Sequence, residues 1–132
     1  MSRQEVYKDI EGTLGLVPSF IQGLPDEALG PYWEAMKRYQ LSETLIPLKY
    51  KQLIGLAVSA AIHCPYCTFF HSEAAKLMGA TSAELEETAN LARETSGWST
   101  YLHGISFDLE RFKDEFRRAI EYVKTKTLGR RE

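Results

Sequence analysis

Cysteine is scarce in this chain, proline stops at position 65, and no apolar run approaches membrane length. Two cysteines three positions apart cannot staple distant segments, which excludes a secreted disulfide scaffold. The longest apolar stretch, Leu53 to Ile62, is about half of what a membrane span needs. No charge of one sign dominates either: 16 Lys+Arg stand against 18 Asp+Glu, for a formal charge of −2. Broad binding to nucleic acid runs on clustered excess Lys and Arg, so that class is set aside. The first eight residues are charged and carry no signal-type apolar region, so a cytoplasmic location without membrane attachment is the expectation. Gly-rich phosphate loops, Ser/His/Asp arrangements and EF-hand patterns are missing as well, and no cofactor or resident metal is expected.

What is present is an ordinary globular composition, 44% hydrophobic and 26% charged over 132 residues, which suits one domain over 1–132. Val6, Ile10 and Leu14 repeat at helical spacing until Gly15 and Pro18 stop them. A second helix is predicted from Asp26 to about Leu41, with Pro31 near its first turn. A third follows Pro47 and runs to about Ile62. Its second half is apolar on nearly every side, which predicts a buried central helix. Its small residues Gly55, Ala57, Ser59, Ala60 and Ala61 would let neighbours approach closely. Pro65 opens a fourth helix that Gly79 ends. Thr81 and Glu84 form a capping-box pattern for a fifth, with Leu85, Ala89 and Ala92 inward, and Ser96 and Gly97 predict its end. A short turn around Trp98 to His103 follows. The last helix begins near Asp108 and carries a stripe of Leu109, Phe112, Phe116, Ile120 and Val123. Basic Lys124, Lys126, Arg130 and Arg131 suit its C-terminus. Nothing alternates with period two for long, so the fold class is all-α, a helical bundle.

One segment carries chemistry: His63, Cys64, Pro65, Tyr66, Cys67 and, four residues on, His71. With a helix starting at Pro65, Cys64 is its N-cap and Cys67 lies in its first turn. His71 then shares their face. The helix N-terminus and a nearby proton acceptor both favour a thiolate, and a second cysteine can close a disulfide with it. That is the layout of a redox dithiol. The competing reading makes His63, Cys64, Cys67 and His71 four zinc ligands in a non-catalytic or structural module. Ligand pairs for structural zinc normally come from two segments, and His63 precedes the helix, so convergence is awkward. A c-type haem is excluded because Thr68, not His, follows Cys67. His103 is expected to pack or cap.

The run from Lys51 to His71, with the apolar stretch Leu56 to Ala60, the Cys64/Cys67 pair and His71, resembles the core of the AhpD-like proteins of the carboxymuconolactone decarboxylase superfamily. Gly79 to Glu84, Leu16 to Pro18 and the Trp98 region resemble that family too. The resemblance implies an all-helical fold and a thiol-dependent peroxidase or disulfide reductase cycling Cys64 and Cys67. It favours Cys67 as nucleophile and Cys64 as resolving thiol. It further implies a peroxide or disulfide substrate, a thiol reductant such as a thioredoxin-like or lipoyl-type protein, and a homo-oligomer. A hexamer built as a trimer of dimers is favoured over a trimer or dimer. AhpD proper has a Glu twelve residues before the first Cys, where this chain has Gln52, and a His where it has Tyr66. The family's proton relay is therefore not carried over whole. If the third and fourth helices form an antiparallel hairpin, Gln52 and His71 fall at similar height, within about one turn at 1.5 Å per residue.

Overall fold

The computed structural model describes residues 1–129 and consists there of seven α-helices: α1 (Arg3–Leu14), α2 (Ser19–Gln22), α3 (Asp26–Gln40), α4 (Leu48–Ala61), α5 (Pro65–Leu77), α6 (Ser82–Gly104) and α7 (Leu109–Gly129). The all-α class is as the periodicity predicts. Two compact units emerge, Met1–Ala92 and a second that begins at Arg93. Among the described residues no helix is long and apolar enough to cross a membrane. Arg130 and Arg131 of the expected basic tail lie outside the described residues.

In the first unit, Val6 and Ile10 of α1 meet Ile21 of α2 and Leu29 and Trp33 of α3 in a closed apolar cluster. Polar ties fix its edges. Asp9 accepts hydrogen bonds from the Trp33 indole and from Lys37, each at 2.6 Å. The Lys37 ammonium and then the indole hold its carboxyl below the usual carboxylate range. Arg3 reaches from α1 to Asp26, to the Leu24 carbonyl and to the Tyr7 hydroxyl. α1 starts on a complete Ser2/Glu5 capping box and ends with Gly15 at φ +82°, a conformation open to glycine.

α4 and α5 form the antiparallel hairpin that carries the sequence's chemistry, and their junction is compact. His63 adopts φ +57°. Its N–H bonds the Ala60 carbonyl, and the Cys64 N–H bonds the Ser59 carbonyl at 2.9 Å. This is the paired closure of a helix C-terminus with a left-handed residue, here a histidine where glycine is usual. The same Cys64 is the N-cap of α5, so one residue both ends α4 and begins α5. α5 closes in the same way: Gly79 at φ +90° places the Ala80 N–H on the Ala75 carbonyl. Thr81 and Glu84 then exchange capping bonds of 3.1 Å, as the pattern predicts, and Lys49 ties α4 to Glu84 at 2.8 Å.

Four expectations need correction, the first at Ala89, which is exposed and not inward. α6 does not stop at Ser96 and Gly97 but continues to Gly104, since a glycine inside a helix costs only about 1 kcal/mol and does not by itself end one. Pro31 is the sixth residue of α3, not part of its first turn; it is exposed, leaving the carbonyl that loses its donor within reach of water. α4 is buried on one side only: Gln52, Leu56 and Ser59 face inward, while Ile54, Val58 and Ile62 are exposed.

Candidate functional site

The site is built at the α4–α5 corner. As N-cap, the Cys64 sulfur accepts a hydrogen bond from the Cys67 backbone N–H at 3.2 Å. Both cysteines are free thiols and partly buried. The Cys67 thiol hydrogen and the Cys67 and Tyr66 backbone N–H groups together hold the Cys64 thiol below its ordinary pKa. The reciprocal interaction with Cys64, with partial burial, raises that of Cys67. The backbone N–H groups at the positive end of the helix favour the thiolate at Cys64.

His71 lies one turn beyond Cys67 and is 8% exposed. Its ring rests on the backbone of α4 at Gly55, so closely that a Cβ there would fall 2.3 Å from the ring. Phe70 meets the ring edge-on, with centroids 5.0 Å apart. The Nδ1 atom is 2.8 Å from the Gln52 Oε1, and the Gln52 amide nitrogen donates to the Gln40 main-chain carbonyl at 2.5 Å. Gln52 is 2% exposed. Ser59, one turn beyond Gly55, donates its hydroxyl to the Gly55 carbonyl. Burial holds His71 below the ordinary histidine pKa, so it is a neutral base at pH 7.

An open cleft of about 580 Å³ exposes this arrangement. Cys67, His71, Gly55 and Ser59 lie in it together, walled by Leu45, Ile46, Ile54, Val58 and Ile62 from the α3–α4 connection and the outer side of α4. Tyr39, Gln40, Thr44 and Lys51 complete the lining.

The structure pairs Cys64 with Cys67 and His71 with Gln52, and Cys67 and His71 line one cleft. His63 stands apart: it is exposed and spent on the left-handed turn. Among the described residues no three His, Cys, Asp or Glu side chains converge on a common point, so the four-ligand zinc site does not form. His103 is exposed, with Nδ1 2.7 Å from the Ser99 carbonyl of its own helix. Two participants escape the sequence. One is the Gln40 carbonyl, which belongs to the backbone. The other is Gly55 as the seat of His71, although its smallness among apolar neighbours signals a close approach.

Comparison with known proteins places these features in context. The pattern of the carboxymuconolactone decarboxylase family matches residues 27–107. The crystal structure of the alkylhydroperoxidase AhpD core from Rhodospirillum rubrum is similar, with a TM-score of 0.71 and 27% identity, covering 83% of this chain and 84% of that one. A candidate carboxymuconolactone decarboxylase from Burkholderia xenovorans shares the fold, with a TM-score of 0.58 and 22% identity, over 87% of this chain and 94% of that one. An uncharacterized protein of the cox locus of Paracoccus denitrificans is 29% identical over 69 residues, which are 52% of this chain and 62% of that relative's length.

Proposed function

Because this chain belongs to the carboxymuconolactone decarboxylase family, a close cysteine pair at a helix N-terminus is the feature of its fold that calls for a function, and we propose that the pair makes it a thiol-dependent oxidoreductase. Its substrate is a hydroperoxide or a disulfide. The observation that carries this reading is the Cys64 sulfur seated on the Cys67 N–H, with Cys67 sharing a cleft with a buried, neutral His71. The similarity to the alkylhydroperoxidase AhpD core supports the peroxide branch.

The chemistry is balanced within the pair. A thiolate attacks the outer peroxide oxygen; the O–O bond breaks, a sulfenic acid forms, and the alkoxide leaves as an alcohol after taking a proton. The second thiol, deprotonated by His71, attacks the sulfenic sulfur; the S–O bond breaks, water leaves and the disulfide closes. An external dithiol of the thioredoxin or lipoyl class returns two electrons. With a disulfide substrate, the first attack gives a mixed disulfide and the second thiol releases the product. The apolar cleft walls favour an organic over an inorganic substrate.

The test is titration of the reduced protein with an organic hydroperoxide. Both of its thiols should disappear together for each equivalent consumed and return on treatment with dithiothreitol. Thiols that persist through excess hydroperoxide and through a small-molecule disulfide would overturn the reading.

The proposal extends to assembly. On α7, Phe116, Ile120 and Val123 repeat at helical spacing and are each more than half exposed, an unusual stripe for a side that meets only water. It supports association between copies, for which the hexamer remains the favoured state. Sedimentation equilibrium at micromolar concentration should return a multiple of 15.0 kDa; a monomer mass would refute it.

A further inference from the structure

The Gln40 carbonyl and the Gln52 side chain together settle which nitrogen of His71 is basic. A backbone carbonyl only accepts, so the 2.5 Å contact from Gln40 O must be made by the amide –NH2 group of Gln52. The amide cannot flip without setting its oxygen against that carbonyl. Its Oε1 therefore faces His71 Nδ1 at 2.8 Å, and Nδ1 must carry the hydrogen, because the other tautomer would oppose two lone pairs. Both side chains are buried, so water does not rescue a mismatch. The Gly55 seat prevents the ring from turning away.

We infer that the Gln40–Gln52 chain is a tautomer lock, holding His71 as the Nδ1–H form with Nε2 as the sole proton acceptor. Gln52 is a positioning residue in this arrangement. The inference rests on the redox reading only in making the cleft thiol the proton donor. An amide cannot take a proton onward, so His71 is the end of the path and not a link in a longer relay. It accepts one proton at Nε2 while keeping its Nδ1–H bond, and must return that proton to the departing water or alcohol. The titratable groups around it are few: Cys67 on α5, and Lys51 on α4 and Tyr39 on α3 in the shared cleft. No carboxylate appears among those cleft residues, and burial keeps the imidazole neutral above its depressed pKa.

The test is ¹⁵N-edited NMR of the histidine rings over pH, in the wild type and in Gln52→Glu and Gln52→Leu. The wild-type His71 should show a protonated Nδ1 and a bare Nε2 at neutral pH. Gln52→Glu should move the His71 titration upward by about one pH unit or more, since a carboxylate at this distance favours the imidazolium. The acid limb of the pH–rate profile should move with it. Gln52→Leu should release the tautomer preference and lower turnover by about tenfold or more. An Nε2–H signal in the wild type, or a His71 titration unmoved in Gln52→Glu, overturns the lock. The ring signals do not depend on turnover: the expected tautomer in a protein whose thiols ignore oxidants sinks the redox reading alone.

Discussion

Replacing Gly55 with alanine should unseat His71 and cost both stability and turnover. The added Cβ would lie 2.3–2.5 Å from three atoms of the imidazole, well inside van der Waals contact. The ring cannot yield without giving up its bond to Gln52. Overpacking of this kind destabilises by about 1–3 kcal/mol, occasionally more. Here the displaced group is also the proposed base, so turnover should fall further than stability does. The decisive measurement is a double-mutant cycle. His71→Ala removes the ring and with it the clash, so Gly55→Ala in that background should be nearly harmless to the melting temperature. Additive losses, or a Gly55→Ala protein with wild-type melting and turnover, would show that the seat is not as tight as its geometry.

Serine at either cysteine should leave the fold intact and abolish turnover. Ser is a favoured N-cap, so Cys64→Ser keeps the acceptor for the Cys67 N–H that the sulfur now provides. Loss of activity can then be assigned to chemistry. Removing a covalent participant typically costs about a thousandfold or more. The two variants should differ in one respect. The Cys64 thiol that remains in Cys67→Ser should ionise, and be alkylated, at lower pH than the Cys67 thiol that remains in Cys64→Ser, because the backbone N–H of residue 67 still points at Cys64 once the thiol–thiol contact is gone. Alkylation rates against pH read this directly. Near-wild-type turnover in either variant would defeat the dithiol cycle. Earlier alkylation of Cys67 would return first ionisation to the thiol that the family resemblance favours as nucleophile.

Much of this architecture is legible in the chain because its punctuation is local. Pro47 and Pro65 open helices, Gly79 closes one, and Thr81 with Glu84 caps another; each acts within a turn of itself. The short α2 has too few residues for any periodicity, and Gly97 looks like a stop only until its flanks prove helical enough to carry the chain through. α4 misleads for a more instructive reason. Its apolar content predicts burial, yet polar Gln52 and Ser59 face inward while Ile54 and Val58 face out. The inward side includes Gln52 because it is bonded to the buried His71 ring, a contact that hydrophobicity does not register. The cysteine pair and His71 are visible as a spacing. The carbonyl of Gln40 is not, since every residue has one and only the fold decides which of them matters.

If Cys64 and Cys67 close the proposed disulfide, the corner at Cys64 couples oxidising power to folding through a thermodynamic cycle. A sulfur that caps a helix as a thiolate is held by N–H groups that a neutral disulfide sulfur satisfies poorly. Whatever free energy the cap contributes to the reduced chain is missing from the oxidised one. Around the cycle, that difference appears twice: as a less stable oxidised fold, and as a disulfide more eager to accept electrons. A single residue that ends one helix and begins the next is therefore placed to set the reduction potential of the pair through the cohesion of the backbone.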